Sequence, residues 1–128
     1  MKGNAMVWTG WVLTALTALF LLVDAGMKVA GSQLSIDASG VLGFDAGTTR
    51  ALGCILLLCT LLYLYPRTAV LGAVLVTAYL GGAIAVHLQH KNPMFSHVLF
   101  GVYVGLFLWG GIFLRSAALR TIFPAQVS

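Results

Sequence analysis

The feature that most constrains this chain lies in residues 79–115, where two apolar helical runs meet at a short polar turn. The turn carries all three histidines, with His87 and His90 at the end of the first run and His97 at the start of the second. An Asn-Pro pair separates the runs, because proline cannot continue a preceding helix. An apolar stretch of roughly 20 residues crosses a bilayer as a helix. The pattern therefore predicts a hairpin of two transmembrane helices with the histidines at one membrane face.

The rest of the chain has the same apolar character. Its 128 residues are 60% hydrophobic and only 8% charged, and the mean hydropathy is +1.00. These values exclude an ordinary soluble domain of this length. We predict an all-α, polytopic membrane protein that forms a single four-helix bundle over residues 1–128. The transmembrane helices are predicted at residues 6–30, 49–65, 68–88 and 96–115.

The seven cations stand singly near the predicted helix ends. They form no basic run with interleaved aromatic residues, so nucleic acid is excluded as a partner. One side of the membrane would carry four cations and no acid, namely Lys2, Arg67, Arg115 and Arg120. The other side would carry the remaining three cations and all three acids, namely Lys28, Arg50, Lys91, Asp24, Asp37 and Asp45. Because positive charge favours the cytoplasm, we predict an inner-membrane protein with both termini cytoplasmic.

The connection between the first two predicted helices, residues 32–50, is rich in Ser, Gly, Asp and Thr. Leu34 and Ile36 alternate with polar residues, which hints at extended structure. The simpler interpretation is an ordered outer loop that packs over the mouth of the bundle. Thr48 or Thr49 is predicted to cap the following helix.

A pair of opposite charges marks the end of the first predicted helix. Asp24 and Lys28 are four residues apart with the acid first, the favourable order for an ion pair on a helix. These charges also argue against a cleaved signal peptide, whose apolar run is shorter and lacks them. The pair either neutralises itself at the membrane interface or offers Asp24 to a ligand or a histidine. Ionisable residues below the headgroups are functional candidates.

The charges and the histidines are expected at one membrane depth. They form the candidate polar cluster, which consists of Asp24, Lys28, Arg50, His87, His90 and His97. Neutral imidazoles can bind zinc, copper or haem. The spacing of these histidines is not specific for any of the three, so we predict no metal and favour hydrogen bonding, with a quinone or a lipid as the possible ligand. The opposite half of the bundle is expected to be chemically inert.

Small residues recur at helical spacing in the last two predicted helices. Gly81 and Gly82 in the third helix, and Gly101 and Gly105 in the fourth, are predicted to let neighbouring helices approach closely.

Aromatic and sulfur side chains in the second predicted helix are expected to serve the bundle rather than chemistry. Tyr63 and Tyr65 suit the headgroup belt at its far end. Cys54 and Cys59 are five residues apart on one helix, so they point in different directions and form neither a disulfide nor a Cys-x-x-Cys motif. Thiol exchange is therefore not expected.

Three segments resemble a known family. They are GMKVAG at residues 26–31, YPRTAVLGAVLVTAYLGGAIAVHL at residues 65–88 and NPMFSHVLFGVYVGLFLWGG at residues 92–111. The Tyr-Pro-Arg-Thr turn, the Gly-Gly pair and the Phe-Ser-His start of the last helix are the features that match. In these, and over nearly its whole length, the chain resembles the DoxX-like membrane proteins. The resemblance implies a four-helix transmembrane bundle and carries over no catalytic residues. The family is named after a small subunit of an archaeal terminal quinol oxidase associated with thiosulfate oxidation.

Three functions are compatible with these features. The prediction is an accessory or structural subunit of a respiratory or photosynthetic electron-transfer complex, which fits the small size and the family name. One alternative is a stand-alone binder or transporter of a quinone or lipid-like molecule, which needs a pocket near Asp24, His87 and His97. Another is a membrane oxidoreductase that uses this outer Asp/His cluster. The expected partners are the lipid bilayer and either other membrane subunits or a second copy of the chain.

Overall fold

A computed structural model describes residues 2–123, apart from the side chains of residues 2, 3 and 97. Four helices in this part of the chain are long and apolar enough to cross a membrane, at residues 4–30, 46–64, 66–89 and 94–115. The prediction of an all-α, four-helix transmembrane bundle is therefore confirmed. The α-helices are α1 (Lys2–Ala30), α2 (Gln33–Val41), α3 (Ala46–Leu64), α4 (Ala69–Gln89), α5 (Phe100–Arg115) and α6 (Ala117–Arg120).

The four long helices run antiparallel, and each packs against its neighbours in the chain. The ring closes because α5 also packs along α1. Glycines mark the points of closest approach, namely Gly53 against Lys28, Gly72 against Tyr63, Gly101 against Ile84 and Gly111 against Thr14. We call the membrane side that holds α2 and the α4–α5 turn the histidine side, and the other the terminal side.

Of the four glycines predicted to pack helices, Gly101 lies at a close helix contact, and Gly81 and Gly82 do not. A Cβ at Gly101 would lie 2.9 Å from Ile84, and one at Gly105 would lie 4.0 Å from Leu80. Gly81 and Gly82 are exposed, and a Cβ at either would meet nothing within 4 Å. The prediction that these two glycines pack helices is therefore wrong for contacts within the chain.

The reason for this error is the helical repeat. Small residues four apart drift by about 40° per step around a helix that turns about 100° per residue. Ala69 and Ala73 are buried, whereas Thr77, Gly81 and Ala85 on the same row are exposed. The row thus begins in the bundle and ends on the lipid-facing side.

The connection between the first two spans contains a helix, not an extended segment. The hydroxyl of Ser32 accepts a hydrogen bond from the Ser35 amide at 3.2 Å and so caps the start of α2. Gly31 and Gly43 flank α2 with φ values of +70° and +92°. Glycine adopts such values without steric cost. The loop is therefore ordered, as predicted, but the hint of extended structure was wrong.

The cap of α3 is Asp45 and not Thr48 or Thr49. The amide of Thr48 donates to Asp45 Oδ1 at 2.6 Å, and this bond lowers the pKa of the Asp45 carboxyl. The hydroxyl of Thr49 donates to the Asp45 carbonyl at 2.8 Å. The three residues thus form one capping motif that begins the second span.

Near the other end of α3, the Tyr63 side chain lies in the core. Tyr63 is fully buried together with Leu21, Leu56 and Leu108, whereas Tyr65 is exposed. The interface prediction therefore fits Tyr65 and is wrong for Tyr63.

A short tail folds back from the end of α5. The ring of Phe123 in this tail stacks on the ring of Trp109, with 4.8 Å between their centroids.

Candidate functional site

Asp24 and Lys28 form the predicted ion pair near the end of α1. Lys28 Nζ donates to Asp24 Oδ2 at 2.6 Å. The stem of Lys28 lies against α3, where a Cβ at Gly53 would be 2.6 Å from the Lys28 Cβ. Its ammonium lies 5.9 Å from the centroid of the Tyr79 ring on α4. The Lys28 side chain is 16% exposed and that of Asp24 36%, so three helices enclose the cation while the carboxylate remains more accessible.

Arg50 lies against the turn that follows α1. A Cβ at Gly31 would be 2.7 Å from Arg50 Nη2. The exposed guanidinium could move away from it, so glycine is required there for its positive φ of +70° rather than for space. Arg50 is exposed, and none of the described acids pairs with it. Asp37 accepts instead from Gln33 at 2.8 Å, and Asp45 caps α3. Arg50 is therefore a cation on the histidine side whose charge no described acid balances.

His87 is hydrogen-bonded to the turn that follows α4. Nδ2 of Asn92 lies 2.8 Å from Nδ1 of His87. The backbone amide of Asn92 also donates to the His87 carbonyl at 3.1 Å. These two contacts tie Asn92 to the last turn of α4 and engage Nδ1 of the His87 ring.

The structure describes the side chain of His90 but only the backbone of His97. His90 is exposed, and its Nδ1 donates to the Val86 carbonyl at 3.0 Å. His97 belongs to a single π-helical turn that opens the last span, but its side chain lies outside the described residues. Among the side chains that are described, no group of three or more His, Cys, Asp or Glu residues could hold a metal ion. That Asp24, His87 and His97 meet in one cluster stays a prediction.

Two apolar grooves open on the sides of the bundle. The larger, about 430 Å³, is lined by Val102, Gly105, Leu106, Trp109, Gly110, Phe113 and Phe123. The second, about 280 Å³, lies between α1 and α5 and is lined by Leu16, Thr17, Phe20, Phe100, Tyr103, Val104 and Phe107. Among the described side chains of the candidate polar cluster, none lines either groove.

A buried polar network on the terminal side was not predicted. Arg115 Nε donates to Thr14 Oγ1 at 3.1 Å, and that hydroxyl donates to the Gly10 carbonyl at 2.8 Å. The Tyr63 hydroxyl donates to the Leu108 carbonyl at 2.7 Å. Because both hydroxyl hydrogens are used, the 3.4 Å approach of the two hydroxyl oxygens is at most a weak bond. The network ties α1 to α5 and α3 to α5.

Aromatic rings, rather than an acid, surround the charge of Arg115. Its Cζ lies 4.3 Å from the centroid of Trp11 and 5.7 Å from that of Tyr63. Such ring faces attract a guanidinium. Nη2 is buried and has no hydrogen-bond partner among the described residues. The expectation that this half of the bundle is inert by comparison did not include this buried cation and its partners. The available sequence signal was Thr14, one of three threonines in the apolar run of α1, four positions after Gly10.

The comparison with curated proteins and the comparison with solved structures each gave no match. Residues 12–111 match the model of a family described as the DoxX-like family. This match reaches into all four spans and includes the ion pair of α1 and the His87–Asn92 turn. Because it covers well over half of the sequence, the chain belongs to the DoxX-like family.

Proposed function

We propose that this protein is an accessory subunit of a larger membrane complex that carries out electron transfer. The outer face of α4 carries the proposal, because it offers a surface that another transmembrane helix can approach closely. The electron-transfer part rests on the resemblance described above, since the family takes its name from a quinol oxidase subunit.

The α4 face contains an exposed pair of glycines, Gly81 and Gly82, flanked by Ala78 and Ala85, which are also exposed. Glycine inside a helix costs about 0.5–1 kcal/mol relative to alanine. Nothing in the described part of the chain approaches either glycine closely enough to require it. In a membrane, small residues allow a second helix to come near enough for backbone and side-chain packing. A partner helix on this face would explain why glycine stands at both positions.

Replacement of Gly81 by leucine tests the surface, with Gly26→Leu as the matched control. Gly26 is also an exposed glycine with nothing within 4 Å of an added Cβ, but it lies on α1. Each tagged variant would be purified from native membranes and its partners identified by mass spectrometry. Wild type and Gly26→Leu should retain a subunit with redox absorbance, and Gly81→Leu should lose it. Retention of every partner by Gly81→Leu, or partners that all lack a redox cofactor, would contradict the proposal.

The proposed location is the inner membrane with both termini in the cytoplasm. The terminal side carries Arg67, Arg115 and Arg120, and Lys2 adds a fourth cation whose side chain lies outside the described residues. The three acids of the chain belong to the histidine side by position. A reporter enzyme fused after Ser128 should be active only in the form that works in the cytoplasm, and activity of a periplasmic reporter there would reverse this orientation.

A second candidate function is supported by the groove between α1 and α5. This groove of about 280 Å³ contains three phenylalanines and Tyr103, and the rings of Phe20 and Phe100 meet edge to face at 5.3 Å. Flat apolar molecules such as quinones suit aromatic walls of this kind. Photo-crosslinking of the purified protein with an azidoquinone should then label α1 or α5 at these residues. Labelling spread evenly over all lipid-facing helices would count against a binding site.

A further inference from the structure

The helix α2 presents its side chains in an unexpected arrangement. Apart from the half-buried Ile36, the residues of α2 and its C-cap Leu42 fall into three stripes. Each stripe has the spacing i, i+4, i+7 that places side chains on one helix face. The stripe towards the bundle, where α2 packs on α1 and α3, is Ser35, Ser39 and Leu42. One exposed stripe is Gln33, Asp37 and Gly40, and the other is Leu34, Ala38 and Val41.

In α2 the serines are buried and the larger aliphatic side chains are exposed, the opposite of a helix that packs on its bundle through apolar residues. Ser35 and Ser39 are 7% and 6% exposed, whereas Leu34 and Val41 are 69% and 76% exposed. In contact with water, two exposed aliphatic side chains on one stripe would forgo about 1.5–3 kcal/mol each of burial free energy. The arrangement is favourable if an apolar medium lies beside the helix.

The three stripes point in directions that match a helix lying along a membrane surface. At about 100° per residue, the apolar stripe is about 100° from the bundle-facing stripe, and the polar stripe is about 160° from it. The apolar stripe therefore faces sideways, towards the surroundings of the bundle. The polar stripe faces away from the bundle, and on it Gln33 donates to Asp37 at 2.8 Å.

The level of α2 is fixed by the spans to which it is joined. Only Gly31 and Ser32 separate it from the end of α1, and α3 begins at Ala46. These helix ends lie at the boundary of the hydrocarbon region. Arg50, exposed and without an acidic partner among the described residues, lies against Gly31 at the start of α2. An arginine at this level complements phospholipid phosphate groups.

From these observations we infer that α2 is an interfacial helix embedded in the phospholipid headgroup region on the histidine side. Leu34, Ala38 and Val41 contact the upper acyl chains, and Gln33 and Asp37 face water. Amphipathic helices bind a bilayer surface in this way. The inference does not depend on the proposed function, because it concerns a different surface from the Gly81–Gly82 face.

Spin labels on single cysteines test the inference. The full chain carrying Cys54→Ala and Cys59→Ala would receive a label at Leu34→Cys, Val41→Cys, Gln33→Cys or Asp37→Cys. It would be reconstituted in vesicles of phosphatidylethanolamine and phosphatidylglycerol. Collision with oxygen, which concentrates in the bilayer, is compared with collision with a water-soluble nickel chelate. The oxygen-to-nickel ratio should be several-fold higher at positions 34 and 41 than at positions 33 and 37.

Two results would overturn the inference. Equal ratios typical of water at all four positions would place α2 in solvent. Labels at positions 34 and 41 shielded from both reagents would mean that a protein surface, such as a second copy of the chain, covers the stripe. The unmodified protein gives an independent measurement, because lipids with a nitroxide near the glycerol end should broaden the methyl resonances of Leu34 and Val41. The methyls of the fully buried Leu56 serve as the control, and equal broadening at all three residues would also refute the inference.

Discussion

Replacement of Thr14 by valine removes one hydroxyl from the network on the terminal side and nearly preserves the shape of the side chain. The Gly10 carbonyl keeps its helical partner, so the main loss is the acceptor for Arg115 Nε, now at 3.1 Å. A buried donor left without an acceptor costs about 1–3 kcal/mol, whereas hydrogen bonds between transmembrane helices average about 0.6 kcal/mol. Because Arg115 is only half-buried, water can replace part of the bond. We expect the free energy of unfolding to fall by about 1 kcal/mol.

A double-mutant cycle with Arg115→Met isolates this bond. Unfolding would be followed by far-UV circular dichroism during titration of dodecyl sulfate into mixed micelles. Thr17 is the matched control, because it is buried on the same helix and its hydroxyl donates to the Leu13 carbonyl at 2.8 Å, within α1. The Thr14 cycle should show a coupling of about 1 kcal/mol, and the Thr17→Val cycle should be additive within about 0.5 kcal/mol. Equal couplings in the two cycles, or none in either, would refute the reasoning.

Three further predictions follow from the packing, the cap and the histidine side. Gly111→Ala should lower the free energy of unfolding by about 1–3 kcal/mol, because its Cβ would lie 2.6 Å from the Thr14 side chain and 2.9 Å from the backbone of α1. Gly81→Ala should not lower it, and equal melting temperatures of the two variants would contradict this. Because the cap lowers the pKa of Asp45, its contribution is complete above the unfolded pKa of about 3.9 and is lost as the pH falls through the folded pKa. The melting-temperature difference between wild type and Asp45→Ala should therefore shrink below about pH 4, and a constant difference would show that the charge has no role. If Asp24 and His97 belong to one hydrogen-bonded cluster, the losses of stability in Asp24→Asn and His97→Gln should not add in the double variant. Strictly additive losses would show that the two residues do not form a cluster.

Hydropathy and local residue spacing were sufficient to predict the membrane spans and the Asp24–Lys28 ion pair. Each depends on interactions within a few residues, since a bilayer requires long apolar runs and an i, i+4 pair needs only one helix. The connection at residues 33–41 was harder to interpret. Over so few residues, the same sequence fits both the alternation of a strand and the periodicity of a helix. What makes it a helix is the Ser32 cap and the flanking glycines at positive φ, signals that also occur in ordinary loops.

The sequence predicted the lengths of the transmembrane helices much better than it predicted which face of each helix packs against its neighbours. Lipid is as apolar as the bundle core, so hydropathy does not distinguish an inward from an outward side chain. Only polar groups and close contacts break this symmetry, and both depend on the partner helix. Arg115 could be assigned to a membrane side by its charge, but it turns inward because Gly10 and Gly111 bring α1 and α5 close enough for Trp11 and Thr14 to receive it. The same logic applies to the exposed Gly81–Gly82 face, which none of the described helices approaches closely.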